Sequence, residues 1–211
     1  MKLYSYYRSS CSYRLRIALQ LKQFEYDYVA VNLLNNEQLQ AQYTTLNPLG
    51  LVPALEVAEG EILGQSVALL EWLDETHPLP PLLPSDPLQR ARVRALVNTI
   101  ACDIQPICNL SIIRYLQQQQ RLSDQDIKRW LSQWMSRGFQ ALEPVVAQNN
   151  QPFCFGDTPG MADLFLVPQI YNARRMQVDI TPFPHLTRVV DHCNELPAFI
   201  VAAPENQPDT P

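Results

Sequence analysis

The pattern of hydrophobic and polar positions divides the chain into two halves with different periods. Up to residue 76, short apolar or alternating runs are separated by stretches with helical spacing, in the order βαβαββα. From residue 88 onward the period is 3.6, as in the stripe formed by Val93, Leu96, Val97 and Ile100. The sequence therefore predicts an α/β domain followed by an all-α helical bundle.

A proline-rich segment separates the two halves. Residues 77–87 contain five prolines, and proline both fixes φ and lacks an amide donor, so neither a helix nor a central strand crosses this segment. The predicted organisation is an α/β domain over 1–76, a stiff linker over 77–87, a helical domain over 88–203 and a loosely ordered, proline-containing tail over 204–211. Pro168 lies inside a helical pattern and predicts a kink or a shortened helix there.

Composition narrows the class of protein. Apolar residues make up 46% of the chain, charged residues 18%, and the net charge is −5, which is typical of a soluble globular protein. We expect no nucleic-acid partner, because no basic run could follow a phosphate backbone, and no membrane association, because no apolar stretch reaches about 18 residues. The chain begins as a strand, without the apolar region of a signal peptide.

The cysteines indicate a reducing compartment. Five cysteines, an odd number, argue against a disulfide scaffold and favour a cytoplasmic protein. The sequence has no C-x-x-C motif, and its three histidines are far from any compact cysteine cluster. We therefore expect no metal site, and we expect Cys102, Cys108, Cys154 and Cys193 to be buried as small hydrophobic residues.

The segment from Arg8 to Ser12 carries the most specific chemical signal. It lies between the first strand and an amphipathic helix, so Ser9, Ser10 and Cys11 meet the free N–H groups and positive dipole end of that helix. Such a position favours a thiolate, either that of Cys11 or that of a bound thiol. The plain alternative is a helix N-cap without chemistry, since serine is a good capping residue.

The order of elements and several motifs resemble the glutathione transferase fold, and within it the zeta class, the maleylacetoacetate isomerases. The segment 9–18 looks like the S-S-C-x-W/H-R-V/L-R-I-A element of that class, with Tyr13 in place of the aromatic Trp or His. Further matches follow in chain order: N-P-x-x-x-V-P at 47–53, Q-S at 65–66, I-Q-P-x-x-N-L-S at 104–111, G-D and A-D-L within 156–164, and V-D-I-T-P at 178–182.

The resemblance implies glutathione as the cofactor and assigns its contacts. Ser9 would donate a hydrogen bond to the glutathione sulfur, with Ser10 and Cys11 in support. Val52 and Pro53 resemble the cis-proline element of thioredoxin-like domains, where the backbone pairs with an added peptide strand. The remaining glutathione contacts implied are Gln65 and Ser66 at a helix N-terminus for the γ-glutamyl carboxylate, Gln38 for the glycine end, and Gln105, Asn109 and Ser111.

The substrate side requires cations, because maleylacetoacetate is a dianion. Arg8 stands next to the serine turn, and Arg175 aligns with an arginine that the family uses near its substrate. Gln105 and Asn109 are four residues apart, so they would share a helix face if the helix continued past Pro106. The plain alternatives are surface ion pairs for the arginines and solvated positions for the amides. The resemblance also implies a homodimer.

The chemistry that the resemblance implies is cis–trans isomerisation in tyrosine and phenylalanine catabolism. A thiolate that adds to the alkene leaves a single bond that can rotate, and loss of the thiolate then gives the trans product. Lowering a thiol pKa from about 8.5 to about 6.5 requires roughly 2.7 kcal/mol. A helix terminus supplies about 0.3–1 kcal/mol, and a serine hydroxyl with backbone N–H groups would supply the rest.

Three alternatives remain open at this point. One is the related maleylpyruvate isomerase, whose serine turn lacks the S-S-C triplet and which carries a histidine and arginines where this chain has Gln105 and Leu110-Ser111. A second is glutathione transfer to small α-halo acids at the same site. The third is a module that binds glutathione or another ligand without catalysis.

Overall fold

A four-stranded sheet organises the first part of the computed structural model, which describes residues 1–211. The spatial order of the strands is β2-β1-β3-β4. β1 and β2 run parallel, and the β1–β3 and β3–β4 pairs run antiparallel. The strands are β1 (Lys2–Ser5), β2 (Asp27–Ala30), β3 (Ala54–Ala58) and β4 (Glu61–Gly64).

The helices follow in the predicted order. The second helix of the predicted order βαβαββα is limited to a 3₁₀ turn over residues 37–39 and one short helix. The helices are α1 (Ser10–Leu21), α2 (Ala41–Thr44), α3 (Ser66–Thr76), α4 (Pro87–Asn98), α5 (Leu110–Gln118), α6 (Asp124–Asn149), α7 (Met161–Arg175), α8 (Pro184–Cys193) and α9 (Pro197–Ala202).

The strand register explains where a site can form in the α/β part. Tyr4 of β1 pairs with Ala54 of β3, and Ala54 pairs with Gly64 of β4. Because these pairs are antiparallel, the end of β1, the beginning of β3 and the end of β4 lie at the same edge of the sheet. The segments that follow or precede these strand ends are therefore close together.

The boundary between the two compact units differs from the prediction at the C-terminal end. The first unit comprises Met1–Leu82 together with Asn194–Pro211, and the second comprises Leu83–Cys193. Residues 194–203, expected in the helical domain, belong instead with the sheet because α9 packs on α1 with Phe199 fully buried. The guanidinium of Arg16 also donates to the Ala202 carbonyl across 2.9 Å.

The tail over 204–211 is ordered by its own hydrogen bonds, so the expectation of a loose tail is wrong. Pro204–Asn206 form a 3₁₀ turn in which Pro204 is buried. The Gln207 side chain is also buried and donates to the carbonyls of Val201 and Ala203, both across 2.8 Å. Its amide satisfies carbonyls at the end of α9, which a solvated tail would leave to water.

The second unit is organised around α7. Its first ten residues, from Met161 to Ile170, are buried. Asp163 accepts the N–H groups of Gly160 and Cys154, across 2.8 and 2.9 Å, and this compensates for the lack of a capping side chain at Gly160. The helix continues through Pro168, so the predicted shortening is wrong; the buried apolar contacts on every side of α7 outweigh one missing backbone hydrogen bond.

Contrary to the expectation from the sequence, one helical run is long and apolar enough in composition to cross a membrane. This run, Pro87–Gln118, is not one regular helix, since a π-helical segment (Thr99–Ile104) and a 3₁₀ turn (Pro106–Cys108) separate α4 from α5. Its α4 packs on α7. A single run of this kind is weak evidence for a membrane span, because core helices of soluble domains have the same composition.

Candidate active site

The N-terminus of α1 holds the three residues that the sequence singled out. Ser9 is the N-cap, with extended backbone angles (φ −67°, ψ 118°), and its Oγ accepts the N–H of Ser12 across 3.2 Å. A hydroxyl that accepts one hydrogen bond still has an O–H to donate. Ser10 is buried and Cys11 is half-buried. Ser9 is thus both a helix cap and a potential donor to an anion at the helix end.

Arg16, which the sequence analysis did not single out, holds the turn between β1 and Ser9. Its buried guanidinium donates to the carbonyl of Tyr7 across 2.9 Å, to that of Tyr6 across 3.4 Å and to Ser5 Oγ across 3.3 Å. Burial lowers the pKa of this guanidinium. A basic residue on the apolar face of a helix was the available signal, because a buried arginine needs several fixed acceptors.

The Val52-Pro53 peptide bond is cis, as the resemblance to thioredoxin-like domains implies. The antiparallel pairing of β3 with β1 reaches only to Ala54, so Val52 lies just beyond the paired region. The preceding carbonyl, that of Leu51, accepts hydrogen bonds from the Tyr43 hydroxyl across 2.7 Å and from Asn47 Nδ2 across 2.8 Å. Burial raises the pKa of Tyr43 to about 12, which keeps it a neutral donor.

Gln65 and Ser66 begin α3, as predicted. Gln65 is the exposed N-cap residue with a positive φ of 68°, and Ser66 is the buried first residue of the helix. The Ser66 hydroxyl accepts a hydrogen bond from Arg14 Nη1 across 3.1 Å. Arg14 is itself only 1% exposed, so α1 supports the N-terminus of α3 from inside the unit.

Gln38 lies against the loop that leads to Val52. It is buried in the 3₁₀ turn of residues 37–39, and its Oε1 has no hydrogen-bond partner. A Cβ on Gly50, whose φ is +61°, would lie 2.9 Å from the Gln38 carbonyl oxygen, so the two backbones approach closely. A buried amide oxygen without a partner at this edge fits a ligand that brings an N–H donor.

In the second unit, the expected common face of Gln105 and Asn109 does not exist. The helix does not continue past Pro106: residues 106–108 form a 3₁₀ turn, and Asn109 is extended (φ −81°, ψ 167°). Asn109 instead caps α5, since its Oδ1 accepts the Ile112 N–H across 3.1 Å and the Ser111 hydroxyl across 2.7 Å. The local backbone, rather than helical spacing, sets the directions of these side chains.

The two candidate arginines lie in different surroundings. Arg8 directly precedes the Ser9 cap, is partly buried, and has its guanidinium carbon 5.4 Å from the centroid of the Tyr7 ring. Arg175 is the exposed last residue of α7, where the helix dipole favours a cation. Its neighbour Arg174 forms an ion pair with Asp191 across 2.7 Å.

The cysteines are all free thiols in different environments. Cys154 and Cys193 are fully buried, and burial raises the pKa of each thiol. Cys108 is only half-buried, contrary to the predicted full burial, and this partial burial still raises the pKa of its thiol to about 12. Cys102 is exposed on the π-helical segment, so its predicted burial is wrong. No group of three or more His, Cys, Asp or Glu side chains is arranged to hold a metal ion.

Comparison with known proteins gives consistent results for both parts of the chain. Residues 8–76 match the N-terminal domain of glutathione S-transferases, and residues 132–197 match their C-terminal domain. A maleylacetoacetate isomerase of Pseudomonas aeruginosa is 47% identical over 213 residues, covering 100% of this chain and 99% of that protein.

Solved structures extend the likeness over the whole fold. A bacterial maleylpyruvate isomerase, described as a zeta-class glutathione S-transferase, superposes with a TM-score of 0.97 at 47% identity and covers 100% of both chains. The maleylacetoacetate isomerase of Anaeromyxobacter dehalogenans with bound glutathione has a TM-score of 0.89 at 45% identity, covering 100% of this chain and 97% of that one.

Proposed function

The chain belongs to the zeta class of the glutathione S-transferase family, and from this premise we propose that it isomerises maleylacetoacetate to fumarylacetoacetate with glutathione as cofactor. Bound glutathione supplies a sulfur that adds to one alkene carbon and later leaves it, so that the intervening carbon–carbon bond can rotate. The chain's own residues ionise that sulfur, hold the tripeptide and neutralise the substrate carboxylates.

The observation that carries this proposal is the double role of Ser9. Its Oγ accepts the Ser12 N–H, which fixes the oxygen at the end of α1 and leaves the O–H to donate to a sulfur anion. The helix terminus adds the partial positive charge of its free N–H groups. Ser10 and Cys11 occupy the first turn of the same helix and support the site through their positions beside the anion.

The edge of the sheet where β1 ends fits an extended tripeptide. Val52 lies beyond the paired part of β3, so its backbone can pair with the cysteinyl residue of the ligand. The γ-glutamyl carboxylate binds at Gln65 and Ser66, where α3 begins at the same edge. Gln38 satisfies its buried amide oxygen with an N–H of the ligand near its glycine end.

The substrate contacts are proposed on charge and on family likeness. Arg8 and Arg175 neutralise the two carboxylates of the diacid, which otherwise would be desolvated without a counter-ion. Gln105, Asn109 and Ser111, from the segment between α4 and α5, are proposed as further polar contacts of glutathione. The Ser111 hydroxyl donates a hydrogen bond to Asn109, so Asn109 and Ser111 act as one unit.

The proposal is tested by the glutathione dependence of turnover. The absorbance of maleylacetoacetate is followed with the full-length protein in three conditions: with glutathione, without it, and with S-methylglutathione. S-methylglutathione keeps the tripeptide contacts but has no ionisable thiol, so it serves as the matched control. We expect isomerisation only with glutathione, and equal rates in all three conditions would leave a binding module as the better description.

Maleylpyruvate is the second candidate substrate, because a maleylpyruvate isomerase shares the fold at a TM-score of 0.97. The two substrates are separated by comparing kcat/KM for each at the same glutathione concentration. A higher value for maleylpyruvate would keep the mechanism and change the assigned substrate.

Conjugation of small α-halo acids to glutathione would use the same ionised sulfur. This activity is measured in parallel by halide release.

The cellular setting follows from the same family membership. We propose a homodimer, which sedimentation equilibrium tests directly, with an isologous interface as in most dimers. Five free cysteines suit a cytoplasmic protein. We also propose a role in tyrosine and phenylalanine catabolism, the pathway that the resemblance implies for isomerisation of maleylacetoacetate.

A further inference from the structure

The C-terminal tail is bonded to the turn that carries Ser9. The carboxylate of Asp209 accepts the backbone N–H of Tyr7 at Oδ2 across 3.0 Å and the hydroxyl of Tyr28 at Oδ1 across 2.7 Å. Tyr28 belongs to β2, which pairs with β1 through Leu3, and Tyr7 lies two residues after the end of β1. The tail thus contacts a residue 202 positions earlier in the chain.

Asp209 is held in place by its own segment. The N–H of Thr210 donates to the Gln207 carbonyl across 3.1 Å, and the Thr210 hydroxyl donates to the carbonyl of Pro204. Gln207 is in turn bonded to the end of α9. These bonds enclose Asp209 in a compact turn that is anchored to α9, so its carboxylate is a fixed acceptor rather than the end of a mobile chain.

The turn before Ser9 is held from two sides. Arg16 binds the carbonyl oxygens of Tyr6 and Tyr7, whereas Asp209 binds the N–H of Tyr7. The Tyr6 carbonyl also accepts the N–H of Ser9 across 2.9 Å. The orientation of the peptide group between Tyr6 and Tyr7 is therefore coupled to the position of Ser9, and the N–H side of that group depends on the tail.

We propose that Asp209 is a positioning residue for the reaction: through Tyr7 it fixes the turn that places the Ser9 hydroxyl against the glutathione sulfur. The proposal rests on the proposed function. A hydroxyl–sulfur hydrogen bond is sensitive to displacements of about 0.5 Å, so release of the turn weakens it even though Asp209 touches neither sulfur nor substrate. The same carboxylate balances part of the charge of buried Arg16, whose pKa its field raises against the effect of burial.

A double-mutant cycle separates positioning from general stabilisation. Asp209→Ala removes both hydrogen bonds, and we expect kcat to fall about tenfold while KM for glutathione changes less than about twofold. In a Ser9→Ala background the same change lowers kcat by less than about twofold, because the contact that Asp209 positions is already absent. Glu205→Gln, which removes an exposed carboxylate from the same tail, is the matched control and leaves kcat unchanged.

A second measurement tests how firmly the turn before Ser9 is held when no glutathione is bound. Amide hydrogen exchange of the ligand-free protein reports the Tyr7 N–H, which we expect to exchange faster in Asp209→Ala and in the milder Asp209→Asn than in the wild-type protein. Asp209→Asn retains one amide oxygen as an acceptor, so it keeps the test available if Asp209→Ala does not fold. Tyr28→Phe leaves the Tyr7 bond in place and gives a smaller change in exchange.

The outcomes are distinct. A fall in kcat that is equal in the wild-type and Ser9→Ala backgrounds would make Asp209 a structural residue and overturn the inference. Unchanged turnover in both Asp209 variants would also overturn it, whatever the exchange of Tyr7. Absence of glutathione-dependent turnover in the wild-type protein would remove the proposed function and the inference with it.

Discussion

Arg14 and Ser66 join two helices inside the α/β unit: Nη1 of the arginine donates to Oγ of the serine across 3.1 Å, and both side chains are buried. The residues are 52 positions apart in the chain. Arg14 lies one turn after Ser10 on α1, and Ser66 opens α3. This hydrogen bond therefore acts as a brace: it fixes the N-terminus of α3, proposed to hold the γ-glutamyl carboxylate, relative to α1, whose N-terminus is proposed to hold the sulfur.

Loss of this brace should affect binding of glutathione more than the chemical step. Arg14→Lys keeps the charge but loses the planar guanidinium that reaches Ser66, so we expect KM for glutathione to rise about tenfold with kcat reduced less than about threefold. Ser66→Ala, which removes the acceptor, should give a similar KM and cost about 1 kcal/mol of stability. Steady-state kinetics against glutathione checks both, and a lower kcat at unchanged KM would contradict this assignment.

Ser9 allows its two roles to be separated by substitution. Ser9→Ala removes both the cap and the donor, and we expect kcat to fall about 10²–10³-fold, in the range of a lost hydrogen-bond donor to a developing anion. The accompanying loss of stability should be only about 1 kcal/mol, as for other lost N-caps.

The matched variants are Ser9→Asp and Ser9→Thr. Aspartate caps as well as serine but has no hydroxyl donor, so it should keep the stability and lose the activity. Threonine keeps both the cap and the hydroxyl and should retain most of kcat. Kinetics and thermal unfolding of the three variants together are the test, and full activity in Ser9→Asp would show that another group ionises the sulfur.

The sequence predicted the element order because that order is encoded locally. The observed strands and helices up to residue 76 match the alternating and helical periods of the sequence. The segment that connects them to α4 matches the five prolines of 77–87. Where local rules failed, a long-range contact decided the outcome. The proline-containing tail is tied to the sheet by the bonds of Asp209 to Tyr7 and Tyr28, and α7 continues through Pro168 because it is buried among other segments.

Candidate site residues were predictable where a helix N-terminus defines them. Ser9 and Ser66 lie at such positions, which motif and spacing together identify. The roles of the residues that support them were not predictable. Arg14 and Arg16 are charged residues, yet both are buried inside the unit on α1, whose apolar residues pack in the core. Asp209 binds a turn at the opposite end of the chain. Their roles depend on acceptors that only the folded chain brings together.

The thiols should differ in reactivity in the native protein. Burial raises the pKa of Cys108 to about 12 and raises those of Cys154 and Cys193 as well, so each has very little reactive thiolate at neutral pH. Exposed Cys102 should react with iodoacetamide first, and half-buried Cys11 should be protected by glutathione.

Peptide mapping by mass spectrometry after brief labelling checks this order. Cys102 is the internal control for Cys11, because glutathione should leave its labelling unchanged. Labelling in denaturant provides the reference for complete reaction of all five thiols. Early labelling of Cys154 in the native protein, or no protection of Cys11, would contradict the arrangement described for α1 and α7.

Stability in acid should depend on the capping box of α6. The Ser123 hydroxyl and Arg129 donate to the Asp126 carboxylate and lower its pKa from the ordinary aspartate value. Because the folded pKa lies below the unfolded one, this stabilisation is fully present above the unfolded pKa of about 3.9 and is lost as the pH falls through the folded pKa. Asp126→Asn should therefore flatten the acid part of the stability curve.

Urea unfolding at a series of pH values, from about pH 5 downward, measures this effect. Ser123→Ala in the Asp126→Asn background should add little, since the two residues act as one hydrogen-bonded unit. Asp124→Asn removes the same charge from the same helical turn and is the control. An unchanged acid slope in Asp126→Asn would show that the capping box does not contribute to pH dependence.

Gly138 and Ile104 should be coupled in the core of the helical unit. A Cβ on Gly138 of α6 would overlap Cδ1 and Cγ1 of Ile104, which is fully buried at the end of the π-helical segment. Gly138→Ala gains about 1 kcal/mol of helix propensity, but overpacking of this kind costs about 1–3 kcal/mol, so we expect a net loss of stability. Ile104→Ala removes both Cγ1 and Cδ1 and should cost about 2–5 kcal/mol alone.

The double variant Gly138→Ala/Ile104→Ala should be more stable than the sum of the single changes by about 1 kcal/mol, because removal of both Cγ1 and Cδ1 leaves room for the added methyl group. Denaturant unfolding of the four proteins measures this coupling. Additive costs would mean that α6 moves away from Ile104 rather than pressing on it. Since Gln105, a proposed glutathione contact, directly follows Ile104, the single Gly138→Ala change should also raise KM for glutathione, and the double variant should restore it.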